Sequence, residues 1–206
     1  MNRLLLALLN ALLFCVGTAW AGPLEDAAAA YARRDYEKAL AIWRPLAANG
    51  DSTAQNNLGL MHYQGDGVPQ DYAEAIKWYR AAAAPGHAPA QYNLGNLYRD
   101  GKGVPRDRNE AVKWYRLAAA QGHAGAQSNL GVLYAEGEGV PQDHVEALKW
   151  YRLAAAQGFA KAQHSLGVAY ANGEGTPRDY VEAVYWYHRA AAQGRRQAES
   201  RHLCHP

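Results

Sequence analysis

The sequence predicts an all-α protein, an α-solenoid of stacked helix-turn-helix repeats. Three observations point there: a fixed period of 36 residues, apolar residues at helical spacing inside each period, and glycine-rich breaks between the apolar stretches. Ala54-Gln55, Ala90-Gln91, Ala126-Gln127 and Ala162-Gln163 each stand 36 residues from the next. The same offset superposes Leu58-Gly59, Leu94-Gly95, Leu130-Gly131 and Leu166-Gly167. It also aligns Gly65-x-Gly67 with Gly101-x-Gly103, Gly137-x-Gly139 and Gly173-x-Gly175, and Trp78-Tyr79 with Trp114-Tyr115, Trp150-Tyr151 and Trp186-Tyr187. A period in this range marks supersecondary units that bury their apolar faces against one another.

The chain opens on a segment that is read separately from the fold. Asn2 and Arg3 precede an apolar run from Leu4 to Val16, broken only by Asn10, and Ala19-Trp20-Ala21 supplies small residues for signal peptidase. Residues 1–21 are therefore expected to be a secretory signal peptide cleaved before Gly22, with a periplasmic or secreted destination. The run is too short to span about 30 Å of hydrocarbon comfortably, and Phe14 before Cys15 argues against a lipoprotein site. Cleavage removes Cys15 and leaves Cys204 alone, so no disulfide can form within the mature chain, although one between chains can.

Composition narrows the function. Apolar residues make up 49% of the 206 positions, enough for a sizeable core, and the formal charge is only +2. Basic and acidic residues alternate along the length, whereas nucleic-acid binding needs basic residues gathered on one face.

Residues 22–53 are expected to form a degenerate N-terminal capping hairpin. Tyr36 to Leu40 lie one period before Tyr72 to Ile76, but the Gly-x-Gly loop is missing. A divergent end unit suits a cap, whose outer face meets water. Four full repeats follow, over 54–89, 90–125, 126–161 and 162–197. In the second, helix A is predicted from about Ala90 to Asp100, with Leu94, Leu97 and Tyr98 as its buried stripe. Gly101 to Gly103 and Pro105 end it, and Asp107 with Glu110 opens helix B in the manner of a capping box. Helix B carries Trp114, Tyr115, Ala118 and Ala119 and ends at Gly122. A glycine inside a helix costs about 1 kcal/mol relative to alanine, so Gly95 and its equivalents require a packing reason, namely close approach of the two helices. Trp and Tyr are expected to fill the space toward the next hairpin, with Trp78, Trp114 and Trp150 mostly buried and Trp186 more exposed. Residues 198–206 lose the pattern and are expected to form a C-terminal tail.

The repeat columns together resemble the Sel-one-like repeat, a relative of the tetratricopeptide repeat with a longer hairpin loop. The resemblance covers residues 54–197 and implies a right-handed α-solenoid with a concave face that grips peptides and protein segments.

No cofactor or metal site is expected. The glycine loops lack the Lys-Ser/Thr of a P-loop and follow no strand. His62, His87, His123, His144, His164 and His188 are spread over the repeats without a ligand motif, and His202-x-Cys204-His205 lies in an expected tail. Glu136 and Glu138 are expected to be solvated. Some cysteine-rich secreted relatives are described as binding or hydrolysing β-lactams, which makes an enzyme acting on β-lactams or cell-wall material the alternative; those relatives carry a cysteine pair in each repeat, absent here, and no Ser-x-x-Lys occurs. The residues that differ between repeats then remain. On helix A they are Asn56, Tyr92, Ser128 and His164; Leu60, Asn96, Val132 and Val168; and Tyr63, Arg99, Ala135 and Ala171. They form either a binding face or a drifting surface. As a binding face, Asn56, Tyr63, Tyr92, Asn96, Arg99 and His164 are the candidates for contact with a protein or peptide partner, and the chain is a non-enzymatic scaffold or adaptor.

Overall fold

The computed structural model describes residues 22–203, with side chains described for 22–193. The expected signal peptide, Cys204 and His205 lie outside the described residues. Among the described residues ten α-helices pair into five hairpins: α1 (Pro23–Ala32) with α2 (Tyr36–Ala48), α3 (Ser52–Gln64) with α4 (Tyr72–Ala83), α5 (Ala88–Asp100) with α6 (Arg108–Ala120), α7 (Ala124–Glu136) with α8 (His144–Ala156), and α9 (Ala160–Asn172) with α10 (Tyr180–Leu203). No helix among the described residues is long and apolar enough to cross a membrane.

The core runs through the stack because each second helix buries its apolar face against the first helix of the next hairpin. Ile76 and Tyr79 of α4 cluster with Leu94 and Leu97 of α5. Val112 and Tyr115 of α6 do the same with Leu130 and Leu133 of α7. Each unit thus completes its core only with its neighbour, as in other solenoids.

Within a hairpin, glycine serves the close approach that the sequence predicts, and the structure adds its partner. A Cβ on Gly95 would lie 2.5 Å from Cε1 of Tyr115, so the glycine surface is the seat of that ring. Gly59, Gly131 and Gly167 seat Tyr79, Tyr151 and Tyr187 in the same way. The tyrosines therefore close their own hairpin while also packing, as expected, on the first helix of the next one. Neighbours on a helix point about 100° apart, so the preceding tryptophan faces elsewhere. Trp114 lies half-buried against the α4–α5 cluster and Trp150 against the α6–α7 cluster. Trp78 and Trp186 are also half-buried, so the four do not divide into three buried and one exposed.

The hairpin loop serves two contacts. Gly101 takes a left-handed conformation and ends α5, after which the Asp107 N–H donates to the Tyr98 carbonyl at 2.9 Å. Gly103, at φ +72°, would place a Cβ 2.6 Å from the Tyr72 Cβ, which means that the loop rests on the start of α4 in the preceding unit. Asp107 then accepts from the Glu110 N–H at 3.0 Å, as an N-cap. Glu110 does not complete a capping box. The Asp107 N–H is already bonded, and Glu110 pairs with Lys113 at 2.8 Å instead.

The first helices of the hairpins are capped differently. Asp51, His87 and His123 stand one period apart, and each accepts the N–H three residues on. For His87 and His123 the acceptor is Nδ1, which must be neutral. Burial lowers the pKa of both below the usual histidine value; for His87, Asp51 works in the opposite direction. A lowered folded pKa means the native state binds fewer protons than the unfolded chain, so stability falls as pH drops through about 6.5. Denaturant midpoints should therefore decline between pH 7.5 and 5. Replacing His87 and His123 together by Asp, the residue of the same column in the preceding repeat, should flatten that decline. An unchanged slope would remove the caps from the acid response.

Val184 is 53% exposed, whereas Ile76, Val112 and Leu148 in the same column are 5%, 2% and 3% exposed under the following unit. Helix α10 runs unbroken through Gly194 to Leu203, so the last repeat and the start of the expected tail share one helix.

Candidate functional site

The helices α3, α5, α7 and α9 line up along one side of the stack, and a cleft opens wherever two of them meet over the second helix of the earlier hairpin. The first, about 80 Å³, is lined by Leu60, Tyr63, Tyr79, Asn93 and Asn96. The second is wider, about 370 Å³, between α5 and α7; Arg99, Arg106, Arg108, Asn129, Val132, Glu136 and Glu138 are among its walls. The third, about 110 Å³, is lined by Ala135, His144, Tyr151, Ser165, Val168 and Glu174, among others. The clefts recur because the fold repeats, and they differ because the variable positions face them.

Three of the six candidates meet in these clefts. Tyr63 accepts a hydrogen bond from Lys102 Nζ at 2.7 Å, with the ammonium 4.8 Å from its ring centre. Asn96 accepts from the Tyr115 hydroxyl at 2.7 Å and from Asn129 Nδ2 at 3.2 Å, so it ties α5, α6 and α7 together while lining the groove. Burial raises the Tyr115 pKa, which keeps the hydroxyl a donor to Asn96. Arg99 forms a two-pronged pair with Asp100, at 2.7 and 3.1 Å. The pair holds the guanidinium above its ordinary pKa and the Asp100 carboxyl below the usual carboxylate range.

The other three sit differently. Asn56 accepts from Asn93 Nδ2 at 3.0 Å, beside the first cleft and outside its walls. Tyr92 stacks on His123 at 4.5 Å between ring centres and leans on Tyr115 at 6.0 Å. It is half-buried against the α6–α7 core, which gives it a packing role between repeats. His164 is exposed, its ring 5.4 Å from that of Tyr187.

Sequence reasoning missed Lys102, Arg106, Arg108 and Asn129. The first three belong to the loop or to the start of α6, outside the helix positions that were compared across repeats. Glu138, expected in solvent, is held by Arg108: Nε lies 2.8 Å from Oε2 with its N–H poorly aligned, and the aligned bond is Nη2–H to Oε1 at 3.1 Å. The groove combines apolar walls, amides and fixed charges, the surface chemistry of protein recognition.

Constant core columns, a fixed period and a varied face along one row of helices define a helical-hairpin solenoid of the tetratricopeptide type. A model of the Sel1 repeat matches residues 28–51, 52–87, 88–123, 124–159 and 160–194, and the chain belongs to the Sel1 repeat family. Proteins of this family generally mediate protein–protein interactions and are typically non-enzymatic scaffolds. The chain is similar to a Sel1 repeat protein from Oxalobacter formigenes, with 37% identity over 83% of this chain and 70% of that one and a TM-score of 0.78. It is also similar to a protective antigen of uropathogenic Escherichia coli strains that displays an SLR fold, with 47% identity, a TM-score of 0.73 and 75% of this chain covered. The alignment takes in 33% of that antigen, so this chain spans about a third of its length. A Sel1 repeat protein from Klebsiella pneumoniae shares the fold at 23% identity over 82% of this chain and 84% of that one, with a TM-score of 0.56. No curated protein matches the chain.

Proposed function

We propose that this chain is a non-enzymatic adaptor, exported to the periplasm or beyond, that holds a segment of a protein partner along the face built by α3, α5, α7 and α9. The observation that carries the reading is the row of clefts at successive repeat junctions, walled by residues that change from repeat to repeat while the core columns stay fixed. Repeat arrays build extended binding surfaces in this way, and Tyr63 and Arg99 are of the types that anchor interfaces most strongly. The destination rests on the charged start, apolar run and Ala19-Trp20-Ala21 of the first 21 residues.

Photo-cross-linking residues placed at Arg99 and Val168 test the face, with Leu117 and Leu153, exposed on α6 and α8, as controls. Irradiated in the producing cell, the two groove positions should yield one and the same adduct, and the controls none. Adducts from Leu117 and Leu153 alone would place the partner on the other row of helices.

A further inference from the structure

We propose that the wide cleft between α5 and α7 receives a carboxylate of the bound segment, with Arg106 as the residue that meets it. The proposal rests on the groove reading above and adds to it the chemistry of the ligand. It comes from comparing one loop position through three repeats. Gln70 donates from Nε2 to the Tyr63 carbonyl at 2.9 Å, and Gln142 donates to the Ala135 carbonyl at 2.8 Å. These bonds tie the hairpin loop back onto the last turn of the first helix. Arg106 holds the same position in the repeat between them, but the corresponding carbonyl, that of Arg99, accepts from Arg108 Nη1 at 2.8 Å. Arg108 has taken over the scaffold contact, and the Arg106 side chain is released from it.

The released guanidinium is 60% exposed at the cleft wall and comes no nearer than 3.9 Å to a carboxylate, that of Glu138. The other two arginines are each neutralised at close range, Arg108 by Glu138 at 2.8 Å and Arg99 by Asp100 at 2.7 Å. Arg106 is thus the cation left over, with planar, forked donors suited to a carboxylate. Glu136 and Glu138 line the same cleft, so a dianionic phosphate would meet more repulsion there than a single carboxylate. The flanking clefts carry Leu60 and Tyr63 on one side and Val168 and Ala169 on the other. A matching segment therefore sets one acid between residues that face partly apolar clefts. The acid could be a side chain or a chain end.

The test follows the arginine Nε–H signals by NMR during titration with three acetylated heptapeptides of alanine, serine and leucine. The first has a central glutamate and an amidated end. The second has a central glutamine and a free terminal carboxylate, and the third has a central glutamine and an amidated end. The Arg106 signal should move saturably with the first or the second, naming the side chain or the chain end as the source, and at least tenfold more weakly with the third. Arg106→Gln restores the residue of the flanking repeats, so it should fold as the parent does while losing at least tenfold in affinity for the acidic peptide. Equal response to all three peptides, no response to any, or tighter binding of inorganic phosphate than of the acidic peptides would overturn the proposal. Groove cross-links that persist alongside such a result would leave the adaptor reading standing, and their absence would remove it independently.

Discussion

Gly95→Ala should destabilise the protein by about 2 kcal/mol or more, although alanine is the better helix former by about 1 kcal/mol. The new methyl would lie 2.5 Å from Cε1, 2.6 Å from Cδ1 and 3.1 Å from Cζ of Tyr115. That ring cannot step aside. Tyr115 is fully buried, packed with Val112, Ala118 and Leu130, and pinned at its hydroxyl by Asn96. Overpacking a dense core forces backbone shifts that typically cost 1–3 kcal/mol, roughly, and here two helices would have to part. The background reverses the sign. In a Tyr115→Ala protein, already less stable by several kcal/mol on the order seen for large-to-small changes, the methyl meets open space and Gly95→Ala should be neutral or stabilising. Urea unfolding of the four proteins gives the coupling between the sites. A stabilising Gly95→Ala in the parent background would sink the ring-seat explanation.

The contact between Gly95 and Tyr115 also marks how far the sequence can be read. The period, the two helices per unit and the glycine loops were legible because each leaves a signal in spacing alone. The need for a small residue at Gly95 was legible too, because propensity opposes glycine there. Its partner was not legible. Trp114 and Tyr115 are adjacent in every copy, and no spacing rule decides which of two neighbouring aromatics turns toward the glycine. The histidine caps were hidden for another reason: His87 and His123 share a column, but histidine is not a residue that usually marks a helix start. Of the groove, the variable A-helix positions were found by subtraction, and Tyr63, Asn96 and Arg99 do line it. Subtraction cannot tell a groove residue from one that packs between repeats, as Tyr92 does on His123. Nor can it see that Arg108 does in one repeat what Gln142 does in the next.

Gln127→Leu should cost about 2 kcal/mol, since it removes two hydrogen bonds from a buried site at about 1 kcal/mol each. Gln127 is 4% exposed. Its Nε2 donates to the Ala119 carbonyl in the last turn of α6 at 3.2 Å, and its Oε1 accepts from Gln157 Nε2 at 2.8 Å, just past the end of α8. One amide thus bridges the ends of two successive second helices and fixes the rise from one repeat to the next. Gln91 and Gln163 make the same two contacts, with Gln121 and Gln193 as donors. The first copy is incomplete. Gln55 donates to the Ala47 carbonyl at 3.0 Å, but its buried Oε1 has no partner. Pro85 stands where Gln121 stands one period later, and proline has no side-chain donor. The protein therefore contains its own control. Gln55→Leu breaks one bond, and it also removes an acceptor whose burial without a partner is itself unfavourable. Its cost should be smaller than that of Gln127→Leu by at least about 1 kcal/mol. Urea midpoints of the two variants make the comparison directly. Equal losses would mean that the bond between Gln127 and Gln157 adds nothing, and that the conserved geometry of the stack comes from apolar packing alone.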